Sequence, residues 1–294
     1  MHKSRYKRRA GDRRDGRWIR TYPALNQVMP FIMPERNDAM NLFSDKFEIT
    51  RAERWIRLKR QEGYPGIGLA HILIAAYVRT ISQMPGINRF VSGQRVFSRF
   101  DIEVNMMVKK GLSVESEETL AKMRFEPTDT VFDVYRTMNS AVDEILSSPA
   151  DTGTERVAKS LLKLPRPILR FAIWAIRKGD YYGLLGKDLL DISPFHGSVI
   201  FTDLGSLGIP PIYHHLYNLG NLPVFVSFGA KRNAYEVDRE GNLVHKRYVD
   251  YKVVTDERIC DGAYYAAAFR YFRYFVNDPS ELESPPQEVK EDIP

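Results

Sequence analysis

Residues 68–84 read GLAHILIAAYVRTISQM, apolar almost all the way round a helix and stopped by Pro85-Gly86. A helix with no polar face has to be buried, so any fold for this chain must wrap the segment in other layers. His71 lies on it and reads as a packing histidine. The remaining sequence supplies both kinds of layer. Residues 131–146 keep helical spacing through Val131, Val134, Tyr135, Met138, Val142 and Ile145. From Gly197 onward the pattern turns β-rich: GSVIFTDLGSLG is a strand ending in a glycine-rich turn, and PVFVSFG is a short buried strand. Residues 236–244 form a hairpin turn with Glu240-Gly241-Asn242 at its tip, and residues 246–255 return as a strand. A helix, GAYYAAAFRYFRYFV, then closes the pattern before Asp278-Pro279. One mixed α/β domain in a chain of 294 residues is the simplest account.

Other segments are less regular. Residues 22–34, punctuated by proline, read as extended structure. Residues 45–50 alternate like a strand, after which Thr50 and Glu53 form a capping-box pattern for a helix running to about Gly63. Residues 95–109 read as two strands, Lys110-Gly111 as a turn, and residues 114–125 as a further strand pair. Residues 161–179, LLKLPRPILRFAIWAIRKG, hold an apolar segment of about nine residues, Ile168 to Ile176, interrupted by Arg170. That is far below the roughly 20 needed to span a bilayer. Basic residues around Phe171 and Trp174 leave a membrane-surface helix open; packing on the body or on a neighbouring subunit is the favoured reading.

The net charge of +6 is unevenly placed. Residues 1–20 carry nine Lys or Arg against Asp12 and Asp15, while residues 277–294 carry six acids and Lys290. The division expected is a basic arm over 1–20, a near-neutral domain over 21–276 and an acidic tail over 277–294. Solvated termini are expected, with no nucleic-acid partner, and no apolar stretch marks a signal peptide. The single cysteine, Cys260, excludes an intramolecular disulfide and fits a reducing, cytoplasmic setting. The six histidines show no HExxH-type spacing, so no bound metal is expected.

Four pieces in one order carry a resemblance. Residues 256–262, DERICDG, followed by an alanine-rich helix and Asn277-Asp-Pro279, resemble the DHRxxDG signature of dihydrolipoyl acyltransferases and its later EDP turn. Cys260 stands where chloramphenicol acetyltransferases have the cysteine of HHxxCDG. GSVIFTDLGSLG is similar to the GTFTISNLGxxG strand of that superfamily, PVFVSFGA to its next buried strand, and HILIAAYVRTISQMPGINRF to its AAxxAxxxxPxxN helix. Together they span residues 70–269. The resemblance implies a chloramphenicol acetyltransferase-like α/β (α+β) sandwich, a mixed β-sheet with flanking helices, assembled as a homotrimer. Its sites would lie in channels between subunits, with coenzyme A or acyl-CoA as substrate and 2-oxoacid dehydrogenase components as partners. By register Thr202 takes the oxyanion-donor position, Asp261 matches a structural aspartate, and Gly262 permits the turn. Asp203, His214 and His215 fall where the resemblance places the channel.

The catalytic histidine position holds Glu257. An ordinary glutamate titrates near 4.3 and a thiol near 8.5, so proton transfer is uphill by about 4 units, on the order of 6 kcal/mol. Burial raises a carboxyl's pKa and narrows that gap. His214, His215 or, before the Thr202 strand, His196 are the alternatives for a relocated base. No lipoyl-type DKA lysine hairpin precedes residue 50, so no lipoyl group is expected on this chain.

Three functions compete. The favoured one is a stand-alone, coenzyme A-dependent acyltransferase with altered catalysis at Glu257, Thr202 and Asp261. The second is a catalytically inactive trimeric scaffold of the same fold. The third, resting on the basic arm and residues 161–179, is a membrane-surface or nucleic-acid factor.

Overall fold

The computed structural model describes residues 6–109, 118–147 and 153–294. A six-stranded mixed sheet organises it. Its strands are β2 (Met40–Glu48), β5 (Ile102–Lys109), β6 (Glu118–Phe125), β7 (Val199–Asp203), β8 (Val224–Val237) and β9 (Leu243–Asp256), in spatial order β2-β9-β8-β7-β5-β6. β7 runs parallel to both β5 and β8, and the other pairs are antiparallel. A second, three-stranded sheet joins β1 (Gly16–Trp18), β4 (Arg95–Arg99) and β3 (Arg89–Ser92).

Side chains alternate across a strand, and here the alternation sorts two cores. Val199, Phe201, Val226, Phe228, Tyr251 and Val253 point to one face, which carries α2 (Thr50–Gln61), α3 (Leu69–Gln83), α4 (Val131–Ser147) and α8 (Gly262–Asn277). The apolar helix α3 is buried there almost end to end, as its sequence requires. His71 is buried in the same layer: Nδ1 accepts from the Gly68 N–H and Nε2 meets Asn139 Oδ1 at 3.3 Å. Ile200, Phe225 and Val254 point to the opposite face. The loop over 209–222 covers them with Leu216 and Leu222. Gly229 lets that loop approach, since a Cβ there would stand 2.5 Å from Pro211 Cδ.

Several expectations need correction. Residues 22–34 are not extended, because α1 (Ala24–Ile32) forms between Pro23 and Met33 and seats its own Pro30 as a buried side chain. Proline before the first helical residue costs no hydrogen bond, and packing of α1 on β4 offsets the internal one. The capping box at Thr50 does not form. The Thr50 hydroxyl accepts from the Arg247 N–H at 3.1 Å, and the Glu53 carboxylate pairs with Arg247 and with Lys231. Of the strand pair expected over 114–125, the described part is the single strand β6, while the turn at Lys110-Gly111 lies outside the described residues.

The two termini are less solvated than their composition implies. Arg13 is buried and holds Asp15, Ser92 and Asp180. Arg89 forms a buried ion pair with Asp292, and Leu282 enters the main core. Apart from Arg13 with Asp15, each of these pairs spans more than 75 residues of chain, which local sequence does not reveal.

Between α4 and β7 lie α5 (Gly153–Leu162), α6 (Arg166–Tyr181) and α7 (Lys187–Ile192). α6 carries the segment expected to pack on the body. Leu169, Ala172, Ile173, Ile176 and Asp180 turn inward as expected, but Ile168, Phe171 and Trp174 stay exposed.

Candidate functional site

The residues singled out by sequence fall into two groups. Thr202 lies on β7, in register with Ser227 on β8, and points to the loop-covered face. Its hydroxyl oxygen is buried and has no hydrogen-bond partner among the described residues. An unsatisfied buried hydroxyl costs about 1–3 kcal/mol, so its persistence calls for a reason. His214 comes to the same face from the covering loop. Its ring stacks on Phe225 at 4.1 Å, and burial, with the neighbouring His215, lowers its pKa below the ordinary histidine value. Ser227 Oγ donates to the Ile212 carbonyl and ties the loop down. His215 itself is exposed.

Asp203 does not share that face, because alternation turns it the other way. It accepts from the Ser206 N–H at 3.0 Å, and burial raises its carboxyl's pKa against the pull of the Ser206 and Gly205 N–H groups and Lys231. His196 stands just ahead of β7, buried, with Nδ1 2.7 Å from Ser193 Oγ and Nε2 3.3 Å from Asp180 Oδ1. Burial opposes ionisation of Asp180, yet His196 and Arg13 outweigh it and hold that carboxyl at about 2. This is a structural anchor, with the histidine shut away from solvent.

The second group sits at the end of β9. Asp256 and Arg258 are both buried and face each other: Arg258 Nε and Nη2 donate to the two carboxylate oxygens at 2.8 and 2.7 Å. Arg36 adds a third charge, its Nε 3.4 Å from Asp256 Oδ2, and burial pulls its pKa down to about 10. The Tyr265 hydroxyl donates to the Asp256 carbonyl, and the Glu257 N–H donates to the Ala39 carbonyl. Glu257 is therefore presented on a backbone pinned on both sides, with its side chain exposed and without a hydrogen bond or ion pair among the described residues. This clamp escaped the sequence reading. Its signal was present in the opposite charges of Asp256 and Arg258, two residues apart and so on one side of the chain.

Asp261 caps α8, accepting from the Tyr264 N–H at 2.8 Å. Gly262 is the first residue of that helix, exposed, with nothing within 4 Å of a would-be Cβ and without a left-handed φ. Within this chain the turn does not need a glycine there.

Register separates the two groups. Thr202 aligns through Ser227 with Lys252 on β9, and Glu257 lies five residues further. At about 3.3 Å per residue and two strands of about 4.8 Å across, the separation is on the order of 20 Å. One chain therefore does not bring Glu257 to Thr202. A cleft of about 800 Å3 between α6 and the body is lined by Arg36, Val91, Ile173, Trp174 and Arg258, among others, and takes in none of the candidate residues. Among the described residues no group of three or more His, Cys, Asp or Glu side chains could hold a metal ion.

Strand order, the buried α3 and the closing α8 can now be set beside solved structures. A probable dihydrolipoamide acetyltransferase from Listeria monocytogenes 4b F2365 superposes with a TM-score of 0.56 at 10% identity, covering 90% of this chain and 93% of that one. A dihydrolipoamide acetyltransferase from Azotobacter vinelandii gives 0.58 at 10% identity, covering 94% of each chain. A chloramphenicol acetyltransferase gives 0.51 at 13% identity, covering 86% and 94%. The fold is that of the chloramphenicol acetyltransferase-like acyltransferases. No protein-family model matches the sequence, and no curated protein matches it at a significant level. At such identities the fold alone is shared, and the side chains must carry any functional argument.

Proposed function

We propose that this chain is an acyltransferase of altered catalytic power, acting on a coenzyme A-linked acyl group at sites built between subunits of a homotrimer. The observation that carries the reading is the Thr202 hydroxyl, buried, unpaired and set far from Glu257 of its own chain. A neighbouring subunit that supplied Glu257 would resolve both facts. The Azotobacter enzyme has been probed for the role of a serine, a histidine and an asparagine in its catalysis. Thr202, Glu257 and Asp261 would stand in for that trio here.

In this reading the acceptor, a thiol, amine or alcohol, gives its proton to the Glu257 carboxylate as it attacks the thioester carbonyl. The carbonyl oxygen becomes an oxyanion and receives the Thr202 hydroxyl's hydrogen bond. Collapse expels the coenzyme A thiolate, which takes the proton back from Glu257. Asp261 fixes the start of α8 and so the position of the Glu257 turn. Association with 2-oxoacid dehydrogenase components belongs to the same proposal, with lipoyl groups supplied by another chain.

The exposed, unpaired Glu257 carboxylate favours a second reading, a scaffold of this fold without turnover. Calorimetry with coenzyme A, followed by incubation of acyl-CoA with small thiols, amines and alcohols, separates the two. Binding and turnover above background, lost in Thr202→Val, support the enzyme. A correctly assembled oligomer that neither binds coenzyme A nor turns over any acceptor rejects it.

A further inference from the structure

Helices α5 and α6 form a surface that the proposed acyl transfer does not use. From Arg156 to Lys178 the chain holds seven Lys or Arg and no Asp or Glu. All seven lie on exposed residues: Arg156, Lys159, Lys163, Arg166, Arg170, Arg177 and Lys178. Arg177 reaches Glu35 at 3.4 Å. Among these cations α6 presents an apolar stripe. Ile168, Phe171 and Trp174 are 51%, 65% and 54% exposed, and the rings of Phe171 and Trp174 stack at 5.6 Å. Leu162 and Leu164 continue the stripe at its N-terminal end. At the α6 C-terminus, the Tyr181 hydroxyl donates to Gln94 at the β3–β4 turn. α1 packs on β4 at the same hairpin and exposes Leu25, Val28, Phe31 and Ile32.

We propose that α5 and α6 dock this protein onto an anionic membrane surface, with Ile168, Phe171 and Trp174 entering the headgroup region. Large aromatic and aliphatic side chains ringed by cations suit that boundary: the apolar stripe leaves water while the Lys and Arg heads reach lipid phosphates. None of the helices among the described residues is long and apolar enough to cross a bilayer, so the contact is in the plane of the surface. Charge decides against a second copy of the same face, because a symmetric contact would bring two sets of seven cations together. The contact takes the membrane-surface reading for the exposed face of α6, while the inward face of that helix packs on the body. It is independent of acyl transfer, since none of these side chains belongs to the Thr202 or Glu257 groups.

The test is flotation of the full chain with phosphatidylcholine vesicles, with and without about 30 mol% phosphatidylglycerol. The expected result is retention on the anionic vesicles only, abolished at about 1 M salt, where screening leaves a few ångströms of range. Phe171→Glu with Trp174→Glu should cut retention at least about tenfold, and Arg170→Glu with Lys178→Glu on the order of a hundredfold. Thermal melts should be unchanged in both. Should either variant misfold, hydrogen exchange of residues 166–178 in the unmodified chain supplies the same answer, with protection expected on anionic vesicles. Absence of retention, or retention that the Phe171 and Trp174 changes leave intact, overturns the proposal. So does an oligomer that falls apart on those changes without lipid, which would assign the face to a second copy.

Discussion

Thr202 lies in the sheet and Glu257 just past the end of β9, two strands away, yet the chain treats them in opposite ways. Around Thr202 the backbone is covered, and a polar oxygen is left inside without a partner among the described residues. Around Glu257 the neighbours are locked by Asp256, Arg258 and Arg36, and the side chain is turned out to solvent. One region withholds a hydrogen bond that a ligand could take, and the other holds a carboxylate rigidly outward. The difference teaches that each half is prepared within the chain, while their meeting is not.

Breaking the clamp gives the largest effect. Asp256→Ala leaves Arg258 and Arg36 buried without their carboxylate and should cost about 3–5 kcal/mol in denaturant unfolding. Glu257→Gln beside it should change stability by less than about 0.5 kcal/mol. Equal losses would show that the turn is not pinned as described. On the other side, Thr202→Val should lower acyl transfer by about 10²–10³. The same change should leave the melting temperature unchanged or slightly raised, because no internal hydrogen bond is lost. A drop in stability would mean that the hydroxyl has a structural partner.

Acid probes an anchor that stands beside both regions, since Asp180 pairs with His196 ahead of β7 and lines a cleft with Arg36 and Arg258 of the clamp. Asp180, ahead of β7, is held at about 2, below its ordinary value of 3.8. A depressed carboxyl stabilises the fold above its unfolded pKa, so roughly 2 kcal/mol should drain away as the pH falls from about 4 through 2. Asp180→Asn should flatten that part of a pH-dependent unfolding curve. The smallest effect expected is a gain: Glu257→His should raise thiol acylation by about tenfold, since imidazole roughly halves the proton-transfer gap. A loss would argue that the carboxylate has a task an imidazole does not perform.

Periodicity and turn chemistry made much of the fold legible. The burial of α3, the spacing of α4 and the β8–β9 hairpin around Gly241 all follow from local pattern. α1 was hidden because three prolines in thirteen residues read as extended chain, whereas one of them precedes the helix and another follows it. The Thr50 cap failed because the hydroxyl has a tertiary partner in Arg247. The packing of the termini depends on Arg13 with Asp180 and Arg89 with Asp292, pairs that no window of sequence contains. For the candidate site, motif order singled out Thr202 and Glu257 but not the distance between them, which only the strand order fixes. The exposed face of α6 was legible as amphipathic, but which side of it the body would cover was not.

The central claim is that Glu257 of one chain serves Thr202 of the next. It is tested most directly by mixing two inactive proteins, Glu257→Ala and Thr202→Val, through unfolding and reassembly. Mixed trimers should recover a fraction of the unmodified acyl-transfer rate, because some interfaces pair an intact Thr202 with an intact Glu257. Mixed trimers confirmed by native mass spectrometry, yet as inactive as either parent, would contradict the account.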